Sequence, residues 1–358
     1  MLPLNIVSGY DQLISPDCQD LNYSGRIDFS DPFIPCFIYA GSSIHFRFRG
    51  TTLKIIVRNQ HLYWNNYLGY MIDNNLQGKI QFEQTDQVSV LLIAEHLEDT
   101  EHDVIIFKRQ DSAHYFNFLG IILNKDAILL PAPIRPDRRI ECYGDSISAG
   151  ELVEAIQYVG KPDPEHNGEY SNAWYSYVAI TARKLGAELH NNSQGGIALL
   201  DGTGYFHGPD YVGLESTYDK LRYNTQLGDY SGWDFCLYTP QVVIVAVGQN
   251  DAHPDNYMGK DPIKTEQWIE KYQALITTLR AKYTNALIIL KTTILNHDKE
   301  WDDAIEKVTL QLMDPKIVHF LYSNNGCGTP GHVRIPEAEQ MAAELTTFIA
   351  QFGEDIWK

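Results

Sequence analysis

The hydrophobic rhythm of this chain changes at about residue 130. Before it, apolar and polar residues alternate. Ile44, Phe46 and Phe48 share one face of Ser43–Arg49, which predicts a half-buried strand. Leu53–Val57, Gln87–Ile93 and Asp103–Arg109 read as further short strands, broken by Gly, Asn and Asp turn residues. Short strands with no amphipathic helix among them predict a β-sandwich over residues 1–130. Pro131-Ala132-Pro133-Ile134-Arg135-Pro136 follows, and because repeated proline blocks both helix and sheet pairing, 131–137 reads as a linker.

Beyond the linker, over residues 138–358, strands alternate with helices. Arg139–Tyr143 can be a buried strand and Ala187–His190 a short one. Val242–Val247 is six apolar residues rich in β-branched types, the signature of a strand buried on both faces. Ile269, Tyr272, Leu275, Ile276 and Leu279 recur at helical spacing within Glu266–Lys282, which leads into a strand at Ala286–Leu290. Ala338, Met341, Ala342, Leu345 and Ile349 mark a C-terminal helix with Pro336 in its first turn. This alternation predicts an α/β domain whose parallel sheet is covered on both faces.

Chemistry-bearing residues follow these strands. Gly144-Asp145-Ser146-Ile147 comes just after the Arg139–Tyr143 strand, where a serine can present its hydroxyl at the rim of the sheet. Its own N–H can face a developing oxyanion, but the hydroxyl needs a base to become nucleophilic. Val242–Val247 ends in Gly248-Gln249-Asn250-Asp251, and the Asn250 amide can donate to that oxyanion. Asn192-Ser193-Gln194-Gly195-Gly196 follows the Ala187–His190 strand, and its glycines can bring an N–H close to a ligand. His332, in a Gly/Pro loop ahead of the last helix, is the candidate base. Asp145 and Asp251 read as acceptors for loop backbone.

The order Gly-Asp-Ser, Gly, Gly-x-Asn-Asp and a late His resembles the SGNH (GDSL-type) hydrolases. Gly25-Arg26-Ile27-Asp28, Tyr39–Thr51, Tyr175–Ala187 and Trp233-Asp234-Phe235 narrow the resemblance to carbohydrate esterase family 2, from about Gly25 to Met341. The resemblance implies a jelly-roll-like domain joined to an SGNH three-layer domain that deacetylates plant polysaccharides such as xylan. It implies Ser146 as nucleophile, His332 as base, and Ser146, Gly196 (Gly195 as the alternative register) and Asn250 as oxyanion donors. Many SGNH members carry an Asp two or three residues before the His, where this chain has Pro330 and Thr329. The partner of His332 must then be an acid from elsewhere or a backbone carbonyl, and the expectation is a Ser–His dyad. Trp174, Trp233 and Tyr238 are candidates for stacking on sugar rings.

Composition narrows the partners. Of 358 residues, Lys plus Arg number 28 and Asp plus Glu 46, for a net charge of −18, with no basic run, which argues against nucleic acid. A neutral acetylated carbohydrate is unaffected by that charge. No stretch has the length of a membrane span. The histidines lack metal-ligand spacing, and serine hydrolysis requires no cofactor. Met1–Val7 lacks a basic start and an apolar core, so the expectation is a cytoplasmic protein, or a secreted one if a leader has been trimmed. The five cysteines are scattered, and a homo-oligomer is left open. Two rivals stay open: an esterase for other esters, such as lipid or sialic acid O-acetyl esters, and a carbohydrate-binding protein with an inactive SGNH domain.

Overall fold

The computed structural model describes residues 11–62, 64–83, 86–207 and 210–358. The Met1–Val7 stretch lies outside them. The N-terminal domain holds two antiparallel sheets packed face to face. One runs Ile27–Asp28, Cys36–Phe37, His114–Leu123, Leu53–His61, Val88–Ala94; the other runs Ile128–Leu130, Ser43–Arg49, Glu101–Lys108, Tyr67–Ile72, Leu76–Gln81. Ile44, Phe46 and Phe48 point into the core between the sheets, where they meet Ile55, Val57, Phe116 and Phe118. The alternating segments form strands within two residues of their expected starts, but the Leu53 strand runs on to His61. The strand His114–Leu123 carries no alternation to announce it, because nine of its ten residues are buried.

Residues 131–137 carry no helix or strand, and Arg138–Gly144 then opens a five-stranded parallel sheet. Its spatial order is Ala187–Asn191, Arg138–Gly144, Val242–Ala246, Leu287–Leu290, Ile317–His319. The first and third strands in the chain are therefore neighbours. In such a sheet their carboxyl ends border the switch point, the crevice where ligands bind. Side-chain alternation sends Val243, Val245, Ile288 and Leu290 toward helices Pro262–Lys282 and Glu300–Leu312. Ile140, Cys142, Ile244 and Ile289 face helices Tyr177–Lys184 and Ile335–Ala350 on the other side. The helix expected from Glu266 starts earlier, at Pro262, because the Asp261 carboxylate caps the N–H groups of Ile263 and Lys264.

The two domains share a core. Cys36, Ile38, Tyr39, Ala113 and Tyr115 of the β domain pack in the same cluster as Tyr143, Val243 and Trp268. Arg26, fully buried, reaches across to Glu141 at 3.0 Å and to the Tyr143 hydroxyl at 2.5 Å. Burial disfavours its charge, but Glu141 and the surrounding tyrosine hydroxyls outweigh that and raise its pKa.

Candidate active site

Ser146 is the first residue of a single helical turn, Ser146–Ala149, so its N–H has no intrahelical acceptor. Asp145 caps the turn: one carboxylate oxygen accepts the Ile147 N–H at 3.0 Å, the other accepts from Gln249 Nε2 at 2.7 Å. Gln249 Oε1 in turn accepts from Thr293. The Ser146 turn and the Gly248–Asn250 turn are thus tied across the switch point. Burial pushes the Asp145 carboxyl up to about 6 against these bonds. Asp251 likewise serves the backbone, accepting from the N–H groups of Leu199 and Leu200.

The Gly195-Gly196 loop is held from the β domain. Asp111 Oδ2 accepts from the Gly195 N–H and from Gln194 Nε2, both at 2.8 Å. With its N–H engaged, Gly195 is removed as an oxyanion donor. The Gly196 N–H donates to no protein atom among the described residues. Gly196 sits at φ +72, and a Cβ there would lie 2.9 Å from Tyr205 Cβ and 3.1 Å from Phe206 N, so this loop needs glycine. Asn250 Nδ2 donates one hydrogen to Ile197 O at 2.9 Å, and the amide has a second.

His332 departs from the expected dyad. Asp163 Oδ2 lies 2.7 Å from its Nδ1, and Asp163 Oδ1 accepts from the His332 N–H at 2.8 Å and from Arg334 at 2.7 Å. The acid comes from a loop 169 residues earlier in the chain. Gly331 makes room for it, since a Cβ there would lie 2.6 Å from Lys161 O and 2.7 Å from Asp163 Oδ1. Burial would raise the Asp163 carboxyl, but His332 and Arg334 hold it well below the usual carboxylate range.

A second carboxylate faces the other ring edge. Glu151 Oε2 lies 3.3 Å from His332 Nε2 and 3.5 Å from His166 Nε2. Burial disfavours an imidazolium, but Asp163 and Glu151 outweigh it and hold His332 up at about 10. Asp111, crowded by burial and by the Glu151 charge, is pushed up to about 6.

Ser146, Gly196, Asn250 and His332 line one cleft of about 1010 Å³, together with Asp163, Glu151 and His166. Trp64 from the β domain and Tyr205 form part of its wall. Trp64 stacks on His166 with ring centres 3.5 Å apart, and Tyr205, which is 59% exposed, stacks on His253 at 4.2 Å. Trp174, Trp233 and Tyr238 do not line this cleft. Trp174 is sandwiched between Phe107 and Arg183, and Trp233 covers the Arg26 guanidinium. Tyr238 is buried, stacked on His190 and bonded to the carbonyls of Ile140 and Glu188. Tyr238 is spent on packing, whereas Trp233 is half-buried and half-buried Trp174 lines a separate cleft with Phe107, Arg135 and Arg183. Asp163, Glu151 and Trp64 were missed because they stand in irregular segments, where no strand end or helical period marks them.

A serine at the switch point, an imidazole backed by a carboxylate and two further donors lining the same cleft form the arrangement that the resemblance to SGNH-type hydrolases implies, here joined to a β-sandwich. The particular resemblance is to carbohydrate esterase family 2. Residues 23–133 match the carbohydrate esterase 2 N-terminal family. The chain is 30% identical over 269 residues to the cellulase/esterase CelE of Acetivibrio thermocellus, a match covering 74% of this chain and 30% of that protein. It therefore spans under a third of that relative's length. It is 27% identical over 332 residues to an acetylxylan esterase / glucomannan deacetylase of Cellvibrio japonicus, covering 91% and 87%. Among solved structures it resembles a family two carbohydrate esterase from Clostridium thermocellum in complex with cellohexaose, with a TM-score of 0.78 at 26% identity over 94% of this chain and 100% of that one. A family two carbohydrate esterase from Cellvibrio japonicus gives 0.79 at 24% identity, over 97% and 99%.

Proposed function

We propose that the protein is a serine esterase that removes O-acetyl groups from plant cell-wall polysaccharide or oligosaccharide of the acetylxylan type. The observation that carries this reading is the convergence of Ser146, the Asp163–His332 pair, Gly196 and Asn250 on one cleft. The similarity to acetylxylan and glucomannan esterases supports the acetylated polysaccharide as substrate. His332 takes the Ser146 proton as the hydroxyl attacks the acetyl carbonyl. The N–H groups of Ser146 and Gly196 and the Asn250 amide receive the oxyanion, and the sugar leaves as the alcohol, taking the proton back from His332. His332 then activates water, which releases acetate. The lack of an acid at 329 and 330 is the argument for an inactive binding protein, and Asp163 Oδ2 at 2.7 Å from His332 Nδ1 supports the catalytic reading instead.

The test is acetate release from acetylated xylan and acetylated glucomannan, beside 4-nitrophenyl acetate and butyrate. Release from the polysaccharides with acetate preferred over butyrate is the expected result. Glycan binding with no turnover of any ester by folded protein would overturn the reading. Within the mechanism, Asn250→Ala removes one oxyanion donor and is expected to slow turnover by ~100- to 1,000-fold without abolishing it. Full rate on 4-nitrophenyl acetate would take Asn250 out of the oxyanion site.

A further inference from the structure

We propose that Glu151 is a positioning residue for this reaction: its carboxylate holds the Nε2 edge of His332 and so sets the pH at which His332 can take the Ser146 proton. The inference rests on the esterase reading above. Nε2 is the nitrogen that must face Ser146, yet the group that stands against it is Glu151, whose Oε2 lies 3.3 Å away. Ser146 and Glu151 therefore compete for one ring edge.

Glu151 is built into that place. Gly150, at φ +80, turns the chain back after the Ser146–Ala149 turn, and the Glu151 N–H donates to Ser146 O at 3.0 Å. Its Oε1 packs so tightly on Gly195 that a Cβ there would lie 1.8 Å away. The carboxylate is thus wedged between the oxyanion loop and two imidazoles, those of His332 and His166, and His166 is itself pinned by its stack on Trp64.

The charge decides the consequence. The groups that face His332 are Asp163 and His166 on the preceding loop, Glu151 beyond the serine turn, Asp145 at its cap, and Arg334 two residues on. Asp163 serves Nδ1, as a triad acid does, and Arg334 is occupied by Asp163 and the His332 carbonyl. Glu151 is the anion at Nε2. An anion there favours the imidazolium, so the Nε2 proton must first pass to solvent water before the ring can accept one from Ser146. Once the serine proton arrives, the same carboxylate stabilises the cation that forms. Glu151 thereby makes His332 a stronger base that is available only at higher pH.

The experiment follows inactivation by diethyl 4-nitrophenyl phosphate from pH 5 to 10.5, a reaction that phosphorylates the serine and needs no sugar. In the wild type the rate is expected to rise through a midpoint well above 7. In Glu151→Gln the midpoint is expected to fall by about one to three pH units, as removal of one facing charge allows. Glu151→Asp, which keeps the charge, is expected to stay nearer the wild type than Glu151→Gln. Labelling with an unchanged midpoint in Glu151→Gln overturns the role of Glu151 and leaves the esterase reading standing. No labelling of Ser146 in the wild type overturns both. If Glu151→Gln fails to fold, ¹⁵N spectra of wild-type His332 decide: a proton on Nε2 at pH 7 is expected, and a bare Nε2 overturns the proposal.

Discussion

Ser146→Ala is expected to abolish acetate release from acetylated xylan and from 4-nitrophenyl acetate while leaving the fold intact. Ser146 is 6% exposed and its hydroxyl makes no hydrogen bond within the described residues, so its loss removes chemistry and little packing. The N–H groups and the Asn250 amide remain, but they have no tetrahedral adduct to hold. Loss of the nucleophile in a serine hydrolase costs ~10⁶-fold in turnover. The measurement is kcat for both esters, with circular dichroism as the control on folding. Undiminished turnover would mean that another group attacks the ester.

Asp163→Asn is expected to lower kcat by ~10⁴-fold, because an amide at Nδ1 can hold the ring in the wrong tautomer. The carboxylate does three things here: it accepts from Nδ1, from the His332 N–H and from Arg334. Asparagine keeps one acceptor oxygen and its shape, so the loop contact survives better than the charge. The same change removes one of the two anions that hold His332 up, so the acid limb of the rate profile should move to lower pH as the plateau drops. That sign follows because His332 works only when neutral, and an anion removed makes neutrality easier. Measuring kcat at each variant's own plateau separates the two effects. A variant with wild-type plateau and unchanged limb would return His332 to a dyad.

Much of the site is legible residue by residue. Ser146, Gly196 and Asn250 each come after a strand of the parallel sheet, the Asn250 strand announced by its unbroken hydrophobic run, and such a sheet delivers all its carboxyl ends to one rim. Alternation at Ile44, Phe46 and Phe48 revealed the β-sandwich for the same reason: burial on one face imposes a period of two. The strand His114–Leu123 escaped that logic because it is buried nearly throughout. The aromatic residues are placed by their neighbours alone: Tyr238 is buried against His190, while Trp174 and Trp233 lie outside the Ser146 cleft and Trp174 lines another.

By itself, then, the chain's pattern determined the two-part architecture, the family resemblance and the groups that sit on strand ends, since those depend on local periods and short turns. What the tertiary structure decided is how those groups are set for chemistry. Asp163 reaches His332 across 169 residues, Asp111 reaches Gly195 across 84, and Glu151 meets His332 only because Gly150 and Gly195 let it turn in. Loops obey no period, and a carboxylate's influence depends on a distance of a few ångströms that exists only once the sheet and the β domain have packed together.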